Sequence, residues 1–508
     1  MALRLLAAVP SNSFIRSNRK GTSNISNVSN LSVVGASKAV ATANVSDKKI
    51  VRRSANYHPP IWEYDYIQSL KSDYLGESFN EQAIRLVGEV RMMLENVMDP
   101  LEKLELIDSL QRLEIFSGFM DEMGNFKSSL CEDCKGLLNL YEASHLSMEG
   151  EGILDIARDL AAKQLQQYLK QKKLDEYVRM LVEHALELPL HWRVSRLEAR
   201  WLIDVYDKRE ERNPMLLELA KLDFNIVQAV HQDDLRYVSK WWRDIGLGEK
   251  LPFARDRLTG NFLWTVGFAF DPRFGNLRRT LTKVGALITS IDDVYDVYGT
   301  LDELELFTQA VERWDINAME LLPEYMKICF FALYNSINEI AFDNLKEHGF
   351  HTIPFLKKAW ADLCKSYIVE AKWYHSGYIP TFKEYIDNAW ISISAPVILS
   401  HVFFSSNVTT KECLEYWKED SNLIYCSSMI LRFADDLGTS VDELKRGDVP
   451  KSIQCYMHET GCSEVEAREQ VKMLIDATWK KMNEEYLMTH SSLFLPFKLI
   501  ALNIARMA

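Results

Sequence analysis

From Arg52 onward the apolar residues recur at helical period and alternating apolar-polar runs are scarce, which confines the fold to packed helices. Leu216, Leu219, Ala220, Phe224 and Val227 form one apolar stripe, with Asn213 and Pro214 before them as N-cap and first-turn proline. We therefore expect an all-α protein of two helical domains, 52–212 and 213–508, and a chain of this length can bury two cores.

Residues 1–51 read differently. No acid occurs between Met1 and Ser46, whereas Arg4, Arg16, Arg19, Lys20 and Lys38 are spread among serines, asparagines and small residues. That composition is expected of an organelle transit peptide, with the plastid stroma as destination and the mitochondrion as the alternative; a merely disordered tail is the bland reading. No run of eighteen uninterrupted apolar residues predicts a membrane span. The net charge of -13 argues against nucleic acid as a partner, because a phosphate backbone is repelled by such a surface. The eight cysteines are scattered, which suits a reducing compartment, and Cys131 and Cys134 read as two helical thiols one turn apart rather than half a zinc site.

Two acidic clusters carry the chemistry. Asp292-Asp293-Val294-Tyr295-Asp296 follows the apolar Leu287, Ile288 and Ile291. On a helix Asp292 and Asp296 project to one side while Asp293 points about 100° away, so Asp293 is expected to orient a neighbour. Gly299 is expected to cap this helix in the left-handed conformation, and Thr300 with Glu303 to form a capping box for the next. The second cluster, Asp435, Thr439 and Glu443, spaced i, i+4, i+8, follows Met429-Ile430-Leu431. Oxygen donors on one face over two turns match what a hard divalent cation takes, and the threonine adds a ligand without adding charge. For either cluster alone a solvated acidic face is the bland alternative. Both, however, begin where an apolar run is being buried, and a buried uncompensated carboxylate is costly, so a shared metal site is expected.

Cations complete the set. Arg432 lies one turn before Asp435, Lys451 follows Gly447 and Pro450 at a helix start, and Arg255 with Arg257 forms an upstream pair. Arg255, Arg432 and Lys451 are the expected contacts for an anionic leaving group, with Arg257 as a surface residue. Metal ions and basic groups at one pocket would hold a diphosphate and stabilise its departure.

These residues resemble the plant terpene synthases. Asp292 to Asp296 is similar to the family's DDxxD motif, Asp435, Thr439 and Glu443 to its second metal motif, and Arg255-Asp256-Arg257 to its RxR motif. Arg52 and Arg53 before Trp62 resemble the tandem-arginine element of the plastid monoterpene branch. The resemblance implies a helical N-terminal domain on a C-terminal class I terpenoid fold. It also implies three Mg2+ ions, with Mn2+ as the alternative, held by Asp292 and Asp296 on one wall and by Asp435, Thr439 and Glu443 on the other. Arg255, Asp292, Asp296, Arg432, Asp435, Lys451 and Gly285 would surround a small-molecule prenyl diphosphate. Trp264 would offer its π-face to a carbocation, core packing being the alternative. Pro396, within an apparently continuous helical run, is expected to leave the Ser392 carbonyl free towards the same cation.

Gly285, two turns before Asp292, is expected to face the pocket. Isoprene synthases carry phenylalanine there, so glycine implies room for ten carbons; cineole- and terpineol-forming members often carry asparagine, which helps place water. The implied function is a monoterpene synthase acting on geranyl diphosphate, as monomer or homodimer, with sesquiterpene or hemiterpene synthesis as the alternative. Two departures from the family stand out. Leu110-Gln111-Arg112-Leu113 runs almost directly into Phe119-Met120-Asp121-Glu122, where the family interposes several tens of residues, and the family continues past the segment matching Asn503 to Ala508. These departures imply disturbed N-terminal packing and an open pocket, and carry the third alternative, a shortened helical protein without turnover.

Overall fold

The structure is a computed structural model describing residues 52–53, 57–97, 133–171, 174–406, 417, 421–446, 449–488 and 494–508; for 93–97, 406, 421, 441–446 and 488 it describes the backbone alone. The expected transit segment up to Val51, Cys131 and the junction between Leu110 and Glu122 lie outside the described residues. Among the described residues the regular structure is helical and no strand occurs.

The N-terminal part comprises α1 (Tyr64–Ser69), α2 (Glu77–Val97), α3 (Cys134–Ser144), α4 (Gly152–Leu169), α5 (Glu176–Glu187) and α6 (Ser195–Asp207). Leu137, Leu154, Ala161, Leu165 and Val182 close a small core between α3, α4 and α5. The long α7 (Pro214–Ile245) begins at the expected signal: Asn213 accepts hydrogen bonds from the backbone N–H groups of Met215 and Leu216, with proline in the first turn. Its first half packs Leu216, Leu219 and Leu222 with Leu86 and Val90 of α2 and Leu202 of α6. Its second half gives Leu235, Val238 and Trp242 to the large C-terminal core. One helix thus belongs to both cores.

The C-terminal part continues through α8 (Leu247–Lys250), α9 (Leu258–Phe268), α10 (Gly275–Asp293), α11 (Leu301–Arg313), α12 (Glu324–His348) and α13 (Ile353–Ser376). It closes with α14 (Phe382–Ser392), α15 (Ala395–Ser406), α16 (Ser421–Arg446), α17 (Ser452–Thr460), α18 (Glu464–Met488) and α19 (Leu495–Arg506). The acidic helices α10 and α16 both pack against α15, and α11 lies along α13. Phe382–Ser405 is long and apolar enough to cross a membrane by length and composition. It is nevertheless two helices, broken at Ser394, whose φ of 69° lies in the left-handed region that residues other than glycine seldom adopt, and 56% of its apolar window is buried, as in a core segment.

Polar ties join the two parts. Asn483 of α18 donates to the carbonyls of His145 and Ser147, Lys480 pairs with Asp155 at 2.7 Å, and Arg158 pairs with Asp476 at 2.5 Å. The last helix is seated on α9: Met507 lies against Gly267 so closely that a Cβ there would meet its Sδ at 1.9 Å, and Asn503 donates to Phe268 O.

Candidate active site

On α10 the pattern of burial picks out one face. Its apolar residues Val284, Leu287, Ile288 and Ile291 are buried, whereas Gly285, Thr289 and Asp292 retain partial exposure at i, i+4 and i+7. Beyond Asp293 the helix widens into a π turn, Val294–Tyr298, and Asp296 lies in it. Gly299 does not take the expected left-handed cap. Its φ is -72°, its N–H donates to Val294 O at 2.8 Å, and a Cβ would meet Val294 O at 2.9 Å and Leu304 Cδ2 at 2.5 Å. Glycine is needed there for close approach, a demand that a cap rule does not reveal. The Thr300–Glu303 capping box forms as expected.

Asp296 is accessible to solvent although protein surrounds it closely. Burial pushes its carboxyl well above the usual range; Asp292 and Glu370 push in the same direction, and Lys451 and Arg255 oppose them. Lys451 immediately precedes α17, so a cation from the C-terminal helices acts on the carboxylate at the end of α10. Asp293 points away as expected. It is fully buried and accepts from the backbone N–H of Arg255 at 2.6 Å and from Arg255 Nε at 3.1 Å, while Arg255 Nη2 reaches Asp292. Burial raises the Asp293 carboxyl above its usual range although Arg255 lowers it. Burial also works against the charge of Arg255, and the two carboxylates more than restore it.

The second wall repeats this arrangement. Arg432 is buried on α16 and its Nη2 reaches Asp435 and, at 2.8 Å, Asp436 Oδ1. Asp436 is fully buried and accepts from Tyr385 Oη at 2.8 Å and from the backbone N–H of Ser452 at 3.0 Å. One carboxylate thus fixes Arg432, α14 through Tyr385, and the start of α17 next to Lys451. Each wall therefore carries tandem aspartates in which the first is accessible and the second is a buried counter-ion that aims an arginine. Removing one partner of such a pair leaves an uncompensated charge and costs about 3–5 kcal/mol.

Thr439 donates its hydroxyl to Asp435 O at 2.8 Å, which leaves its oxygen able to accept or ligate. The backbone of Glu443 continues α16 two turns past Asp435; its side chain lies outside the description. Among the described residues no three acidic, histidine or cysteine side chains converge on one point. Asp292 turns to Arg255 and Asp435 to Arg432. As a donor set Asp292, Asp296, Asp435 and Thr439 offer only oxygens, which suits Mg2+. Arg432 Nε is buried with no acceptor among the described residues, as a guanidinium awaiting an anion is.

Sequence reasoning missed the floor of the site. On α13 Tyr367 is buried, and its hydroxyl is held well above the usual range by burial and by Asp292, Asp296 and Glu370. Glu370, one turn on, is buried and accepts from Asn388 Nδ2 at 3.1 Å. The signal was available: Glu370 interrupts the apolar run Ile368-Val369-Glu370-Ala371, as Asp292 follows one. Helix α15 closes the same side. Pro396 lies in its first turn, where a missing N–H is harmless, rather than kinking a continuous helix; Val397 and Ile398 donate to Ser394 O, and no backbone N–H donates to the Ser392 carbonyl among the described residues.

Gly285 does not face empty space. A Cβ there would lie 3.5 Å from Asn261 of α9, and Asn261 Nδ2 donates to Thr289 Oγ1 at 3.2 Å. The amide that glycine lacks is brought by a neighbouring helix. Trp264, one turn beyond Asn261, is 38% exposed.

The first described residues lie across this site. Arg52 makes two 2.8 Å bonds to Glu303, donates to Tyr298 O at 2.9 Å, and lies over the rings of Tyr298 and Tyr325. Arg53 donates to Asp296 O at 3.1 Å and lies over Tyr374, and the ring of Tyr57 lies against Arg255. Arg257 is directed outward, to His58 O at 3.3 Å.

Residues 243–481 match the terpene synthase family, metal binding domain, and residues 114–186 match the terpene synthase, N-terminal domain. The chain is 56% identical to terpene synthase 10 of Ricinus communis (91% of this chain, 94% of the relative). It is 55% identical to (-)-alpha-terpineol synthase of Vitis vinifera (90% and 86%) and 52% to a chloroplastic myrcene synthase of Quercus ilex (100% and 94%). Its structure resembles that of a limonene synthase with 2-fluorolinalyl diphosphate, at 42% identity and a TM-score of 0.85 (90% of this chain, 94% of the other). Grey poplar isoprene synthase, with three Mg2+ ions and dimethylallyl-S-thiolodiphosphate, is 44% identical with a TM-score of 0.78 (88% and 93%).

Proposed function

The chain belongs to the terpene synthase family, and from that premise we propose that this lyase ionises geranyl diphosphate to form monoterpenoids in the plastid stroma. The observation that carries the proposal is the repeated pairing of tandem aspartates with an arginine, Asp292-Asp293 with Arg255 and Asp435-Asp436 with Arg432. The ten-carbon substrate is supported by the terpineol, myrcene and limonene synthases among its relatives, and the plastid by the chloroplastic ones.

Asp292 and Asp296 on one side and Asp435, Thr439 and Glu443 on the other are the residues that would hold Mg2+ ions. When bound, these ions would supply Lewis-acid stabilisation of the diphosphate as it leaves. The chain's own residues do the rest. Asp293 holds Arg255 through Nε and Asp436 pairs with Arg432 Nη2, which keeps each guanidinium beside Asp292 or Asp435, where a phosphate oxygen can take the carboxylate's place. Lys451 adds a third cation near Asp296. The allylic C–O bond breaks with its electron pair going to the diphosphate oxygen, and the resulting cation is left between groups that attract charge without reacting. The indole of Trp264 and the Ser392 carbonyl are the candidates for that role.

One observation favours a second reading, a shortened chain without turnover. The alignment with the Quercus ilex relative spans 567 positions against 508 residues here, so that relative has residues this chain lacks. Incubating the protein with Mg2+ and geranyl, farnesyl or dimethylallyl diphosphate and analysing the volatiles separates the readings. Monoterpenoid from the geranyl substrate in excess of products from the other two is expected. Product from dimethylallyl or farnesyl diphosphate alone would move the assignment to five or fifteen carbons. A folded protein inert towards all three, and active once the missing segment is restored, would support the second reading.

A further inference from the structure

The pairing of Asp293 with Arg255 is incomplete at one atom. Both the backbone N–H and the Nε of Arg255 donate to the same carboxylate oxygen, Oδ2. The other oxygen, Oδ1, is buried and has no hydrogen-bond donor among the described residues. Arg255 Nε lies 2.9 Å from it, an ionic contact, but the single proton of that nitrogen is directed at Oδ2. A buried carboxylate oxygen without a donor is costly, and native structures seldom leave one so.

The N-terminal segment carries a donor to this point. Tyr57 is half-buried, and its ring lies 5.3 Å from Arg255 Cζ. Burial and the charge of Asp293 hold its phenol above the usual range, a hydrogen bond to Asp293 acts in the same direction, and Arg255 opposes them. The hydroxyl is thus in range of Asp293 yet short of a fully aligned bond to Oδ1. We propose that Tyr57 completes the pair by donating its hydroxyl to Asp293 Oδ1, and so is a positioning residue for Arg255.

The physical role follows from charge. When a phosphate oxygen draws on the guanidinium, Asp293 loses part of its counter-ion while remaining buried. A second donor on the free oxygen compensates that loss, so more of the positive charge of Arg255 is available to the diphosphate. The ring, lying over the guanidinium, keeps water from that side. The segment does not need the hydroxyl to stay in place. His58, the next residue, accepts from Arg257 Nη1 at 3.3 Å, and upstream Arg52 and Arg53 are tied to Glu303 and to Asp296 O. Tyr57 is therefore fastened on both sides by other residues.

The inference rests on the diphosphate reading, and the probe is inorganic diphosphate with Mg2+, titrated into the full chain by calorimetry. Tyr57→Phe keeps the ring over Arg255 and removes only the hydroxyl. Its affinity should fall about tenfold, the size of one hydrogen bond to a charged group. Tyr57→Ala, which also uncovers Arg255, should lose more. In Tyr57→Phe the melting temperature and the rate of trypsin cleavage after Arg53 should match wild type. Undiminished affinity in Tyr57→Phe would overturn the assignment. So would a loss accompanied by faster cleavage, because the hydroxyl would then be fastening the segment rather than serving Asp293. Wild-type protein that binds no diphosphate with Mg2+ would remove the diphosphate reading itself, a failure visible before any variant is made.

Discussion

At the residue scale, the buried aspartates Asp293 and Asp436 set the positions of Arg255 and Arg432. Asp292 and Asp435 were legible because acids directly after apolar runs are costly unless they are used. Asp293 could be assigned an orienting role from the helical angle alone. Asp436 could not, because its partners, Tyr385 and the Ser452 N–H, come from segments 51 residues before and 16 after it. Asp436→Asn keeps an oxygen for those two donors but no longer neutralises Arg432. We expect kcat/KM for the prenyl diphosphate to fall at least tenfold, and Tm to fall by several degrees, consistent with a lost buried charge partner. Steady-state kinetics with thermal melts checks this, and a variant as active as wild type would remove Asp436 from the account. Asn261 was illegible for a related reason: the sequence points to the glycine at 285, and only packing reveals which side chain occupies the space beside it.

At the element scale the helices themselves were readable from apolar period, caps and prolines, as the starts of α7 and α11 illustrate. Departures from helical regularity were not. The π turn that carries Asp296, the extended Gly299 and the break at Ser394 each depend on what packs against the backbone. The Arg52–Glu303 tie is the element-scale feature with the clearest test, since it fastens the N-terminal segment to the helix following that turn. Burial alone would raise the Glu303 carboxyl; hydrogen bonds from Arg52, the Thr300 N–H and Tyr325 bring it down to about 2. A carboxyl lowered in the fold stabilises it fully above the unfolded value near 4.5, and that contribution is lost as pH falls through about 2. It amounts to at most about 3 kcal/mol. Arg52→Ala should therefore lower stability at pH 7 and make little difference near pH 2, measured by denaturant unfolding at both values. Equal destabilisation at the two pH values would show that packing over Tyr298 and Tyr325, rather than charge, is what Arg52 supplies.

At the scale of the whole molecule, the two cores share α7, and ties such as Lys480–Asp155 and Asn483 to His145 bind the N-terminal part to α18, which packs on α16. The all-α class followed from periodicity, whereas that sharing did not, because a stripe shows that a helix is buried without showing against what. The central claim is that two walls of tandem aspartate and arginine grip a diphosphate so that it can leave. The most direct measurement is release of inorganic diphosphate from geranyl diphosphate by the full chain, with Mg2+ and with the metal chelated. Metal-dependent release is predicted, reduced at least a hundredfold by Asp292→Ala. Release that persists without metal, or is undiminished in Asp292→Ala, would contradict it.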